Sequence, residues 1–177
     1  MSKFEVIHGS CADQDVDVIV NAANKYLAAG GGICGVIYSR AGYTELYEAT
    51  KDITKPISEG DAVITSAFKM TNTKYIIHAV GPDFSLEPTS FDKLFGAYYS
   101  SLKLAAENDL HSISFPLISS GIFGGSLEDP AAESTKQCIL AYEKFTEENP
   151  GYEITLKLCA YTEKEHNSAI KISKYLI

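Results

Sequence analysis

Short apolar runs alternate with longer amphipathic stretches along this chain. Phe4–His8 and Val16–Val20 read as strands, as do Ala62–Ala67 and Tyr75–Val80, which are rich in Val, Ile and Tyr. Ser90–Asn108 places Leu94, Ala97, Tyr98, Ser101, Leu102 and Ala105 at helical spacing. Ile113–Ile118 is strand-like. Ala131–Phe145 is helical, with Pro130 suited to a first turn, where a missing N–H costs nothing. Ile154–Tyr161 reads as a strand and Glu163–Tyr175 as a final helix. One more helix is expected to start inside the glycine run and to include Val36–Ala41. Strands alternating with helices predict an α/β chain whose sheet is covered on both faces. Ligands of such sheets bind at the carboxyl ends of strands, in the loops that lead into helices. The loops after Val20 and after Ile118 therefore carry most of the functional weight.

The length, 177 residues, fits a single domain over 1–177 with its own core. No Ser/Gly-rich linker, charge block or repeat interrupts it. The first residues lack the basic start and apolar run of a signal peptide, and no apolar stretch is long enough to span a membrane. A cytoplasmic location is the expectation. Cys11, Cys34, Cys138 and Cys159 show neither C-x-x-C nor zinc-finger spacing, so they read as reduced structural thiols, and neither a metal site nor a resident cofactor is expected. The net charge of −8 argues against general nucleic-acid binding, which needs a basic face. A phosphate ligand of this chain would be held by backbone N–H groups rather than by lysines.

The first loop supplies such groups. Asn21-Ala22-Ala23-Asn24 follows the strand, then Lys25 to Ala29, then Gly30-Gly31-Gly32-Ile33-Cys34-Gly35 and a helix. Glycines let a backbone approach a ligand closely. A helix start offers unpaired N–H groups and positive dipole charge, which suits a pyrophosphate. An Asn amide, both donor and acceptor, suits a ribose diol. The alternative is a tight flexible turn with no ligand. The run is neither a P-loop nor G-x-G-x-x-G directly after a strand, which argues against a nucleoside triphosphatase or an ordinary dinucleotide dehydrogenase.

The second loop repeats the plan. Ile113-Ser114-Phe115 runs into Pro116-Leu117-Ile118-Ser119-Ser120-Gly121-Ile122-Phe123-Gly124-Gly125, and a helix follows. Two such loops can clamp a diphosphate from opposite sides. Phe123, between glycines, is placed to pack on a sugar or base, or else to plug the loop.

Together these segments resemble the macrodomain family. Val18–Gly35 is similar to its V-N-A-A-N…G-G-G signature, Ile76–Pro82 to its central strand, and Ser119–Gly124 to its second phosphate loop. The motifs occur in the family's order over most of the chain. The resemblance implies a three-layer α/β/α fold with a central mixed β-sheet and an ADP-ribose cleft at the strand ends. It implies that Asn24 holds the distal ribose, with Gly31, Gly32, Ile33 and Cys34 on one side of the diphosphate. Ser119, Ser120, Gly121, Ile122, Phe123 and Gly124 lie on the other. Ser10 and Cys11 then lie near the adenine, and Tyr161 matches a position where some members stack an aromatic on it. The implied partner is ADP-ribose or an ADP-ribosylated protein.

Three positions depart from the usual family pattern. Ser10 stands where an Asp usually recognises the adenine amino group, so a hydrogen bond there lacks charge assistance. Cys34 and Tyr38 replace the Asp and His of one hydrolase branch, and the pair is similar to the alphavirus macrodomains instead. Ser120 replaces a common Thr. The alphavirus-like pattern implies removal of mono-ADP-ribose from acidic side chains, with Asn24 orienting the ribose, Phe123 restricting it and an ordered water attacking. The alternatives are a non-catalytic reader of ADP-ribose or poly-ADP-ribose, and a hydrolase of O-acetyl-ADP-ribose or ADP-ribose-1″-phosphate. Cys34 reads as a packing residue or a nucleophile, and His78 as an interior residue.

Overall fold

A computed structural model describes every residue except 87–89. It contains six strands: β1 (Lys3–His8), β2 (Val18–Ala23), β3 (Ala62–Ser66), β4 (Tyr75–Val80), β5 (Ser112–Pro116) and β6 (Thr155–Ala160). Five helices accompany them: α1 (Gly32–Ala41), α2 (Tyr43–Thr50), α3 (Phe91–Glu107), α4 (Pro130–Glu148) and α5 (Glu163–Leu176). The sheet order is β1-β6-β5-β2-β4-β3, parallel throughout except for β3, which runs antiparallel to β4 at one edge. The expected mixed sheet between two helical layers is therefore present.

Alternation along the strands explains the layers. On β2, Val18 and Val20 face one core with Leu94, Tyr98 and Phe145 of α3 and α4. Ile19 faces the other core with Ile37, Tyr38 and Leu46 of α1 and α2. On β4, Ile77 joins the first core and Ile76 the second. With both faces of each central strand covered, the strands read as continuous apolar runs. Tyr98 does more than fill space. Its hydroxyl takes the Ile118 N–H at 3.0 Å and lies 2.6 Å from Ser134 Oγ, which itself donates to Ile118 O at 2.6 Å. The root of the second loop is thus tied to α3 and α4.

Two elements differ from the sequence expectation. The strand read as Val16–Val20 extends through Ala23, so Asn21 belongs to β2 and is buried rather than part of the loop. Helix α2, Tyr43–Thr50, was not expected; only Leu46 and Thr50 of its eight residues are buried. Among the described residues no helix is long and apolar enough to cross a membrane.

Candidate functional site

Parallel strands β1, β6, β5, β2 and β4 end on one edge of the sheet, and the loops leaving that edge enclose a cleft of about 780 Å³. That volume lies within the roughly 300–1,000 Å³ of small-molecule sites. β2 and β5 are neighbours, so the loops that follow them stand side by side. Every residue expected in the site lines this cleft except Gly124, which lies beneath the second loop, where an added Cβ would meet Pro130 at 2.9 Å.

The first loop is fastened by side chains to its own carbonyls. Asn24 Oδ1 accepts from the N–H of Tyr26 at 3.0 Å and of Ala28 at 3.1 Å, and its Nδ2 donates to Ala28 O at 3.0 Å. One amide hydrogen of Asn24 remains for a ligand. Leu27 is 3% exposed, has φ of 55° and packs with Ala23, Ile57 and Val80. Its carbonyl accepts the Tyr38 hydroxyl at 2.6 Å. The Cys34 thiol, 7% exposed, donates to Ala28 O at 3.7 Å. Cys34 and Tyr38, the two departures on α1, therefore both hold this loop from behind. Burial, and secondarily the nearby Cys34, raises the Tyr38 hydroxyl above its ordinary pKa. That keeps it a neutral donor.

Beneath Cys34 runs a buried polar chain. Asn21 Nδ2 lies 3.7 Å from Cys34 Sγ and 3.2 Å from His78 Nδ1, and His78 Nε2 lies 3.0 Å from Thr65 Oγ1. Thr65 gives its own hydrogen to Ser66 O at 3.0 Å, so His78 is the neutral imidazole with its proton on Nε2. Desolvation pushes its pKa down to about 4. With no exposure, His78 supports the sheet and does not reach the cleft. Among the described residues Asn21 Oδ1 has no hydrogen-bond partner.

Helix α1 starts at Gly32 after Gly31, with no side-chain cap. Its first N–H groups are thereby left open at the cleft wall. Helices α4 and α5 are instead closed by Asp129 and by a Thr162–Glu165 capping box. Opposite α1, the second loop carries Ser119 with φ of 59° and its hydroxyl donating to Pro82 O at 2.6 Å. Ser120 Oγ lies 2.8 Å from Leu117 O and 3.3 Å from Glu165 Oε2. Ile122 is almost fully exposed and Phe123 half-buried.

At the far end, Tyr161 follows β6, is 74% exposed and lines the cleft. Ser10 Oγ accepts the Ala12 N–H at 3.3 Å and caps a 3-10 turn, Cys11–Asp13. Cys11 is buried, and desolvation raises its thiol well above the ordinary value. Asp13 also lines the cleft, but its carboxylate is paired with Arg40 at 2.5 Å. Arg40 was not anticipated from the sequence. The spacing Ile33, Val36, Arg40 along α1 is the signal that could have found it, since it puts all three on one side of the helix. Glu165 was missed because it comes from α5, far away in sequence.

The Macro domain family matches residues 20–133. An uncharacterized protein of Fusobacterium nucleatum is 44% identical over 137 residues, 77% of this chain and 74% of that protein. Among solved structures, the Oceanobacillus iheyensis macrodomain with ADP superposes with a TM-score of 0.88 at 30% identity, covering 98% of this chain and 90% of that one. The Trypanosoma brucei macrodomain in complex with ADP-ribose gives a TM-score of 0.80 at 29% identity, over 96% of this chain and 68% of that one. With this family match, the fold and a cleft at the carboxyl edge of the sheet, the chain belongs to the macro domain family.

Proposed function

We propose that this cleft binds ADP-ribose and that the protein removes mono-ADP-ribose from acidic side chains, in the manner of the alphavirus-like pattern its first loop resembles. The observation that carries the binding reading is the open space over the glycines. A Cβ added at Gly30, Gly31, Gly32 or Gly121 would meet nothing within 4 Å. Packing does not demand glycine at Gly30, Gly31 or Gly121, whereas a ligand backed against the loops does. The uncapped start of α1 suits the diphosphate, the remaining Asn24 N–H suits the distal ribose, and Tyr161 offers a ring for the adenine. Related structures solved with ADP and with ADP-ribose support the same ligand.

For the hydrolysis, the bond between the anomeric carbon and the acyl oxygen breaks, water oxygen bonds to that carbon, and a carboxylate and one proton are released. The ester is already reactive, so positioning supplies much of the rate. Asn24 orients the ribose and Phe123 limits its movement. No strong base is required of the cleft. One observation favours the reader alternative: the carboxylates on the cleft wall, Asp13 and Glu165, are already engaged by Arg40 and by the α5 cap.

The test is a titration with ADP-ribose, followed by a catalytic amount of protein mixed with a glutamate-linked mono-ADP-ribosylated protein. Binding with multiple-turnover release is the expected result. Binding without release would leave a reader, and no binding would overturn the reading altogether.

A further inference from the structure

A second recess of about 360 Å³ lies on the other side of the first loop. Its floor is Tyr38 and Leu27, and its walls are Tyr26 from the loop, Tyr43 and Tyr47 from α2, and Lys51 at the C-cap of that helix. Tyr43, Tyr47 and Lys51 are four residues apart in turn, so they form one stripe along that helix. The rings of Tyr26, Tyr43 and Tyr47 are 63%, 54% and 63% exposed, an aromatic patch left unburied by the fold. Such patches mark contact surfaces more often than accidents.

Two features connect this recess to the cleft. The first is the crest between them. Ala28, Ala29, Gly30 and Gly31 are all exposed, and none has more than a methyl group. A chain can cross that crest without meeting a side chain. The second is charge. The chain as a whole has a net charge of −8, and Asp13 and Glu165 line the cleft. Among the described residues lining the recess, by contrast, the ionisable groups besides the tyrosines are Lys51 and Lys55, with no carboxylate. Lys55 Nζ donates to Ile53 O at 3.0 Å and to Thr50 O, and Lys51 pairs with exposed Glu48 at 2.6 Å. Lys55 is thereby held at the recess, whereas the charge of Lys51 is offset by Glu48.

We propose that this recess is the acceptor subsite: it takes the polypeptide segment that carries the ADP-ribose, with tyrosine rings against the backbone and side chains and Lys55 facing a neighbouring carboxylate. The inference rests on the reading that the cleft holds ADP-ribose with its distal ribose at Asn24, because only then does the attached chain leave the cleft beside the crest. It adds a specificity that the cleft alone does not have, a preference for modified sites with acidic flanks.

The experiment compares three probes: free ADP-ribose, a glutamate-linked mono-ADP-ribosylated peptide with acidic flanks, and a short poly-ADP-ribose chain. The proteins are the wild type, a Tyr43→Ala/Tyr47→Ala double variant, and Ala29→Phe, which raises the crest and leaves the α2 stripe intact. Affinity for free ADP-ribose should stay within about twofold in both variants. For the peptide, kcat/KM should fall about tenfold, or affinity should fall by that factor if there is no turnover, the scale expected when an aromatic contact pair is removed. Equal effects on peptide and free ADP-ribose, or none on either, would overturn the proposal. A loss confined to the poly-ADP-ribose chain would overturn it too, and would give the recess to a second nucleotide. If the wild type binds no ADP-ribose, the functional reading fails first and removes the ground for this one.

Discussion

The two loops of the cleft look alike in sequence and are built by opposite means. In the first, Gly30 and Gly31 border open space, and the backbone is held by side chains that reach its carbonyls: Asn24, Tyr38 and Cys34. In the second, Gly121 also borders open space, but Gly124 and Gly125 are themselves the packing. A Cβ at Gly125, where φ is 52°, would lie 2.2 Å from Ser85 N, and one at Gly81 beneath the loop would lie 2.5 Å from Ile118 and Ser119. The Phe84 N–H donates to Phe123 O at 2.8 Å, which closes that loop on the segment after β4. The first loop leads into the uncapped α1, the second into α4, capped by Asp129. The first loop leaves its spare donors open to the cleft. The other is a fixed wall.

Substituting a glycine in each loop should separate these roles most sharply. Gly125→Ala pushes a methyl into backbone and forces a left-handed φ on alanine, so a loss of about 4 kcal/mol is expected, with a large fall in the denaturation midpoint. Gly31→Val has φ of −86° and room for its side chain, so stability should change by less than about 0.5 kcal/mol. Its ADP-ribose affinity should nevertheless drop by at least about tenfold, about 1.4 kcal/mol of binding. Urea denaturation and ligand titration on the same two proteins check both halves. Equal behaviour of the two variants would erase the contrast.

The supports beneath the loops also differ in how they titrate. The second loop rests on Ser134, Ser119 and Tyr98, and burial raises the Tyr98 hydroxyl well above its ordinary value. None of these three hydroxyls changes charge below neutral pH. Under the first loop lies His78, which takes a proton near 6.5 when unfolded and near 4 when folded. Between those values the unfolded chain binds more protons, so stability falls as pH falls. The loss attributable to His78 should approach about 3 kcal/mol by pH 4. The check is the stability difference between wild type and His78→Gln at pH 7, 5.5 and 4.5. A constant difference would show that His78 is not the titrating support.

What the sequence disclosed follows the same division. Glycine and serine clusters between a strand and a helix are local signals, so both loops, the strands and most helices were legible. Supports that act across sequence were not. Tyr38 reaching Leu27 and Glu165 reaching Ser120 depend on packing that no spacing rule encodes, and helical spacing puts Arg40 on the cleft side of α1 without pointing to its partner Asp13. Gly124 was expected in the site because it sits in the motif, but its neighbours put it beneath the loop. Helix α2 was missed because it buries so little, and for the same reason it leaves Tyr43 and Tyr47 exposed.

Removing one clamp at a time grades the first loop's dependence on its supports. Tyr38→Phe keeps the ring, including its contact with Tyr43 at 5.9 Å, and deletes the hydroxyl that donates to Leu27 O and also interacts with Thr50. A carbonyl on a residue with 3% exposure then has no partner, which costs about 2 kcal/mol. Because that carbonyl belongs to the segment that positions Asn24, the ADP-ribose affinity of Tyr38→Phe should fall as well. A comparable serine deletion in the second loop, Ser119→Ala, should cost stability with less effect on affinity. The reverse order would mean that the second loop, not the first, is the adjustable side of the cleft.

The smallest expected effect is at Cys34, where it separates a clamp from a nucleophile. The thiol donates to Ala28 O at 3.7 Å and lies 3.7 Å from Asn21 Nδ2, so its polar contacts are with protein rather than with the open cleft. Sulfur is a weak donor and acceptor, so Cys34→Ala should cost no more than about 1 kcal/mol, and Cys34→Ser should recover part of it by offering a stronger donor to the same carbonyl. Turnover on the ADP-ribosylated substrate should survive in both variants, lowered only as far as the loop loosens. A covalent nucleophile behaves differently: alanine abolishes turnover, and serine, with a far less acidic hydroxyl, does not restore it. Retention of activity in Cys34→Ala, with an intermediate value in neither stability nor rate for Cys34→Ser, would remove the thiol from the chemistry and also deny it the clamp. Only the graded order, alanine below serine and both active, fits a thiol whose work is to hold the first loop in place.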